Sequence, residues 1–223
     1  MSIINWHKIN TVFLDMDGTL LDLHFDNHFW LKHLPQRYAE QYELSLDTAK
    51  DTLFSRYKAM LGKLEWYCVD YWSEQLNMDI IKLKEEVAHL IAVHPDVIPF
   101  LSALRQHNKR VVLVTNAHHK SLSLKMQRTK IAHHFDRIIC AHSIGLPKEH
   151  ADFWHKLQAI EAFKPAETLL IDDSLAVLRS AAHYGINSVG IYQPDSQLPP
   201  KEMDEFQTIR NFKTIMPDTH LLD

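Results

Sequence analysis

Asp15 and Asp17 stand two positions apart where the apolar run Thr11-Val12-Phe13-Leu14 ends, and Gly18-Thr19 follow them directly. In an α/β chain the tip of a buried strand is where chemistry is done. A carboxylate there carries a heavy desolvation cost unless a cation or hydrogen-bond donors accompany it. Gly18 permits a tight turn, and Thr19 adds a hydroxyl. The five residues alone leave two readings open. They form either an acidic turn accepting backbone hydrogen bonds or a pair of carboxylates kept for a reaction.

Three later segments share this design. Arg110-Val111-Val112-Leu113-Val114 runs into Thr115-Asn116; Gly145-Leu146-Pro147 leads to Lys148; Thr168-Leu169-Leu170-Ile171 runs into Asp172-Asp173-Ser174. Carboxylates, one lysine and small hydroxyl or amide donors make up the inventory of a magnesium-phosphate site.

In this order the segments resemble the four motifs of the haloacid-dehalogenase-like hydrolase superfamily. Asp15-Met16-Asp17-Gly18-Thr19 is similar to the first, Thr115 to the second, Lys148 to the third and Asp172-Asp173 to the fourth. A narrower likeness, to the superfamily's bacterial GMP/IMP nucleotidases, rests on Phe25-Asp26-Asn27-His28-Phe29-Trp30, Trp66-Tyr67-Cys68-Val69-Asp70-Tyr71-Trp72, Thr115-Asn116-Ala117-His118 and Ile171-Asp172-Asp173-Ser174.

The resemblance implies a magnesium-dependent phosphomonoester hydrolase, with a purine nucleoside monophosphate as the small-molecule substrate. Asp15 would be the nucleophile that becomes an aspartyl-phosphate, and Asp17 the general acid and base. Lys148 would neutralise the phosphate and Thr115 orient it. Magnesium ligands would be the Asp15 carboxylate, the Asp17 main-chain carbonyl and Asp173, with Asp172 binding directly or through water. Asn116 could donate to phosphate or leaving group and His118 could touch the nucleotide, or either could simply hold its loop. Among the aromatic residues Phe25, Trp30, Trp66, Tyr67, Tyr71 and Trp72, most should be core. One or two, Trp66 among them, could stack on a base whose edge Asn27 or Asp70 reads.

The elements that position these residues follow from periodicity. Strands are expected near 11–14, 110–114, 137–141, 168–171 and 188–192, and helices near 120–131, 149–162 and 174–184. Alternation of the two implies an α/β fold, a three-layer Rossmann-like, mainly parallel sheet. Residues 22–92 read as helical and are too long for an ordinary connection, so they should form a small α-helical cap on a core of 1–21 and 93–223. Within the cap, Leu61, Leu64, Cys68, Tyr71, Trp72 and Leu76 recur at helical spacing. So do Phe206, Ile209, Phe212 and Ile215 in the tail, which is expected to cover the core and hold no site residue.

Composition narrows the function. Lys and Arg number 24 against 28 Asp and Glu, and the net charge of −4 provides no field for nucleic acid. No apolar run approaches a membrane span, and no early segment reads as a signal peptide. Cys68 and Cys140 are expected as buried small hydrophobes, consistent with a cytoplasmic location. The 16 histidines include no H-E-x-x-H pattern, so zinc is not expected. The oligomeric state is not encoded in any of these features. Rival readings are a haloacid dehalogenase, which has no need of Asp17; a sugar-phosphate phosphatase or phosphomutase, distinguished by the cap; and a non-catalytic nucleotide-binding domain, which has no need of a nucleophile.

Overall fold

The computed structural model describes residues 4–200 and 202–217; the outer ends of the expected core segments, 1–3 and 218–223, lie outside them, as does residue 201. Six strands, β1 (Thr11–Leu14), β2 (Arg110–Thr115), β3 (Arg137–Cys140), β4 (Thr168–Asp172), β5 (Asn187–Ile191) and β6 (Thr208–Ile209), form one sheet in the order β3-β2-β1-β4-β5-β6. Every pairing is parallel. The strands read as unbroken apolar runs because both faces are covered. Val12 and Leu14 join one cluster with Phe100, Leu101 and Leu104, while Phe13 joins the opposite one with Phe153, Trp154 and Leu157. That alternation along β1 is the two-residue period of a strand, and it produces the three layers.

β1 is central, with Leu14 in register with Leu113 of β2 on one side and Ile171 of β4 on the other. The chain reverses its order of strand addition there, so the exits of β1, β2 and β4 open into one crevice. The crossover helices are α6 (Val97–Gln106), α7 (His119–Thr129), α8 (Phe153–Ile160) and α9 (Leu175–His183). Pro99 sits in the first turn of α6, where its missing N–H breaks no helical bond.

Between β1 and α6 lie α1 (His24–His28), α2 (Leu34–Tyr42), α3 (Leu46–Met60), α4 (Val69–Leu76) and α5 (Ile80–Glu86). They surround an apolar cluster of their own that includes Phe25, Phe29, Leu53, Tyr57, Trp72 and Ile80. α1 runs into α2 through a π-helical turn, Phe29–His33. Pro35 in the first turn of α2 lacks the N–H for a regular ladder, and the wider turn accommodates it.

Two periodic stretches are built differently from the sequence expectation. The run from Leu61 to Leu76 is not one helix: Gly62 has φ +77°, Leu61 is exposed, and Cys68 adopts extended backbone between a 3₁₀ turn (Leu64–Tyr67) and α4. Cys68 is only half-buried, and its Sγ accepts the Tyr71 N–H as the cap of α4. Cys140 is buried as expected; both thiols are free. In the tail, β6 and a 3₁₀ turn (Phe212–Ile215) replace a helix, because Thr208 and Ile209 pair with Gly190 and Ile191 at the sheet edge. Ile209, Phe212 and Ile215 still bury into the core. The period of three suits a 3₁₀ turn as well as an α-helix.

Candidate active site

Asp15 follows the last residue of β1 and keeps strand-like pairing through its N–H, which donates to Ile171 O at 3.1 Å. Gly18, at φ +80°, then turns the chain so that Asp17 re-enters the same crevice. Thr115 ends β2, and its Oγ1 accepts the Ala117 N–H at 3.0 Å, which leaves the hydroxyl proton to donate elsewhere. Asp172 ends β4, with Oδ1 accepting the Ser174 N–H at 2.9 Å.

Lys148 arrives from the loop after β3 and is almost fully buried. Its Nζ lies 2.5 Å from Asp15 Oδ1, 2.6 Å from Asp172 Oδ2 and 3.1 Å from Val114 O, so all three ammonium protons are engaged. Burial works against this ammonium, but Asp15 and Asp172 outweigh it and hold its pKa above the ordinary lysine value. Burial, with the Asp172 charge adding to it, pushes Asp15 up to about 6 against the pull of Lys148. Asp17 is likewise raised to about 6, by burial first, with Lys125 opposing and Asp26 and Asp15 adding.

These residues line one cavity of about 280 Å³, at the low end for a small-molecule site. All ten site residues expected from the sequence reach it: Asp15, Asp17, Asn27, Trp66, Thr115, Asn116, His118, Lys148, Asp172 and Asp173. Asp70 does not; it is half-exposed and ion-paired to Lys120 at 2.5 Å. Phe25 and Trp72 are buried in the helical cluster, whereas Trp30 and Tyr67 join Trp66 on the cavity wall.

Asn116, His118 and Asn27 are also held by neighbouring protein groups. Asn116 Oδ1 accepts the Lys148 main-chain N–H and its Nδ2 donates to Glu149, each at 2.9 Å. His118 caps α7, with Nδ1 accepting the Lys120 N–H at 3.4 Å. Asn27 is held by Asp195, to whose Oδ2 it donates at 2.7 Å.

Sequence reasoning missed Asp26, Lys84 and Lys125. Lys125 Nζ donates to Asp17 Oδ1 and Asp26 Oδ2, both at 2.6 Å, and Lys84 Nζ donates to the other Asp26 oxygen at 2.9 Å. In the fold, Lys84 falls four residues after buried Ile80 and Lys125 four after buried Ser121. Each lysine thus sits on the inward face of its helix.

The site suits a hard divalent cation. Among the described residues, Asp15, Asp172 and Asp173 each bring a carboxylate oxygen to within 4.8 Å of the others. Three close carboxylates repel one another, and Lys148 contacts Asp15 and Asp172. An all-oxygen set matches magnesium better than zinc.

The family model for haloacid dehalogenase-like hydrolases matches residues 9–185, a span that contains the exits of β1, β2 and β4 and the Lys148 loop. The chain belongs to that family. This haloacid dehalogenase-like hydrolase is 38% identical over 215 residues to the GMP/IMP nucleotidase YrfG of Escherichia coli, covering 96% of this chain and 97% of the relative. In fold it is similar to a HAD phosphatase from Thermococcus onnurineus, with TM-score 0.76, 22% identity, and 92% and 95% of the two chains covered. A putative beta-phosphoglucomutase from Thermotoga maritima gives TM-score 0.65 at 16% identity, over 93% and 97%. The hydrolase is thus an enzyme of phosphatase type, built on the parallel α/β sheet expected from its sequence. Among the described residues no helix is long and apolar enough to cross a membrane.

Proposed function

We propose that this hydrolase is a magnesium-dependent 5'-nucleotidase of purine nucleoside monophosphates, working through a phosphorylated Asp15. The observation that carries the reading is Lys148 seated between Asp15 and Asp172, with Asp17 opening into the same cavity. The preference for a purine nucleotide follows the 38% identical relative, named for GMP and IMP. We further assign residues 22–92 as a cap on a core of 1–21 and 93–223, and the two free thiols fit a reducing cytoplasm.

Asp15, Asp173, Asp172 and the Asp17 main-chain carbonyl are the groups to hold magnesium, whose charge offsets repulsion between Asp15 and a phosphate dianion. Lys148 supplies the protein's own positive charge to that phosphate. The Thr115 hydroxyl and the backbone amides near Met16 and Asp17 orient its oxygens. Asp15 attacks phosphorus as the ester P–O bond breaks, and Asp17 gives its proton to the departing 5'-oxygen. Asp17 then takes a proton from the water that attacks phosphorus, and the bond to Asp15 breaks to give inorganic phosphate. A carboxyl raised to about 6 can serve both halves near neutral pH. Trp66 and Asn27 are the groups we assign to the base, with Asn116 and His118 framing the phosphate loop.

Phosphate release across purine and pyrimidine monophosphates and hexose phosphates, with and without magnesium, tests the reading. GMP and IMP should be favoured, with activity lost in Asp15→Asn. Higher efficiency on hexose phosphates would replace the nucleotidase by a sugar phosphatase. Nucleotide binding with no phosphate released across the panel would leave a non-catalytic binding domain.

A further inference from the structure

The Asp17 carboxylate does not stand alone. It ends a chain of alternating charges, Asp17, Lys125, Asp26 and Lys84, that crosses from the β1 exit through α7 to α1 and α5. Both lysines are almost completely buried, at 1% and 2% exposure. Lys84 lies 4.6 to 5.3 Å from the ring centroids of Phe25, Phe29 and Trp30, and Lys125 lies 5.2 Å from that of Phe25. Dry surroundings of this kind make an unpaired charge costly, so each member is fixed by its neighbours.

We propose that Lys125 is a positioning residue for the acid and base Asp17, and that Asp26 and Lys84 hold Lys125 to that task. This rests on the phosphatase reading of the site. Lys125 occupies Oδ1 of Asp17, which leaves Oδ2 as the oxygen that gives a proton to the leaving group and later takes one from water. The second Lys125 bond, to Asp26 on α1, fixes the ammonium from the side of the inserted helices. Asp26 in turn is fixed by Lys84 on α5. Seating of α1 and α5 on α7 therefore sets the orientation of the proton donor.

A purely structural ion pair would contribute equally to every substrate; a pair that aims a proton donor would not. The comparison uses two esters: GMP, whose alkoxide needs a proton to leave, and 4-nitrophenyl phosphate, whose nitrophenolate does not. Release of each leaving group is followed in a single turnover with magnesium present. Lys125→Met should slow release from GMP by about 100-fold, the low end of what a general acid contributes. It should slow nitrophenolate release by less than about tenfold and leave KM nearly unchanged, since ground-state binding is not its role. Lys125→Arg should recover much of the loss. Lys125→Met added to Asp17→Asn should cost little more than Asp17→Asn alone, because both disable the same group.

Asp26→Asn, nearly isosteric, should give a smaller loss with the same selectivity for GMP, and it answers the question if Lys125→Met does not fold. Equal loss on both esters, an effect confined to KM, or additive losses in the double variant would overturn the proposal while the phosphatase reading stands. If wild type prefers another alkyl phosphate, that ester replaces GMP and the comparison is unchanged. A wild type that releases neither leaving group overturns both readings.

Discussion

The side chain of Asn116 holds the main chain of Lys148, with Oδ1 accepting its N–H at 2.9 Å across 32 residues of sequence. The exit of β2 thereby sets the approach of the lysine whose ammonium reaches Asp15. The same carboxamide donates to Glu149, which also accepts the Tyr67 hydroxyl at 3.0 Å, so the contact continues to the inserted helices. Replacing Asn116 by Ala strips a buried N–H of its partner, at a cost of about 1–3 kcal/mol. Denaturant unfolding should show that loss, and kcat should fall by roughly tenfold or more as Lys148 loses its fixed approach. Unchanged kcat in a destabilised Asn116→Ala would reduce this contact to a structural one.

Gly18 and Asp173 are in close approach. A Cβ on Gly18 would lie 2.6 Å from Asp173 Oδ2, and the backbone there has φ +80°. Gly18→Ala should therefore act twice. Left-handed backbone costs a non-glycine residue about 1–2 kcal/mol, and displacement of Asp173 should weaken magnesium affinity by roughly 10-fold, the lower end for a disturbed ligand shell. Thermal unfolding reads the first effect and the magnesium dependence of phosphate release the second. A variant that melts lower yet keeps the wild-type magnesium midpoint would remove Asp173 from the ligand set.

The exits of β1, β2 and β4 were legible because strands covered on both faces read as unbroken apolar runs, and a polar residue after such a run marks the sheet edge. Lys148 was legible only in company, since a loop lysine by itself reads as solvated. Lys84 and Lys125 were not legible because their partner Asp26 lies 58 and 99 residues away. A lysine on a helix reads as surface until its neighbours in space are known. The break at Cys68 and the two-residue β6 escaped for a different reason. Periodicity marks which residues go inward, and it does not distinguish a 3₁₀ turn from an α-helix over one or two turns.

Magnesium should stabilise the folded state through the acidic trio. Metal-free protein brought to 100 times its dissociation constant in magnesium should gain about 2.7 kcal/mol. Asp173→Asn should lose most of that gain. Chelator should therefore lower the melting temperature of wild type far more than that of the variant. Scanning calorimetry with and without chelator reads the difference. An undiminished magnesium shift in Asp173→Asn contradicts its assignment as a ligand.

At the opposite edge of the sheet, stability should depend on pH through Glu161. Arg110 and Arg137, the first residues of β2 and β3, both donate to this carboxylate, with Arg110 Nε at 2.5 Å and Arg137 Nη1 at 3.2 Å. The Arg110 hydrogen bond leads in holding the Glu161 pKa below its ordinary 4.5, with burial opposing and the charges of both guanidiniums assisting. A carboxylate whose folded pKa is depressed contributes its full stability above the unfolded value and loses it as pH falls through the folded one. Glu161→Gln should therefore cost about 1 kcal/mol at pH 7, a modest figure because both guanidiniums are nearly half exposed. The unfolding curves of variant and wild type should draw together as pH falls below 4.5, where protonation removes the charge the substitution removed. Because Glu161 lies at the end of the strands remote from Lys148, kcat at neutral pH should not change. A cost that persists undiminished in acid would mean that packing, and not the ion pair, accounts for it.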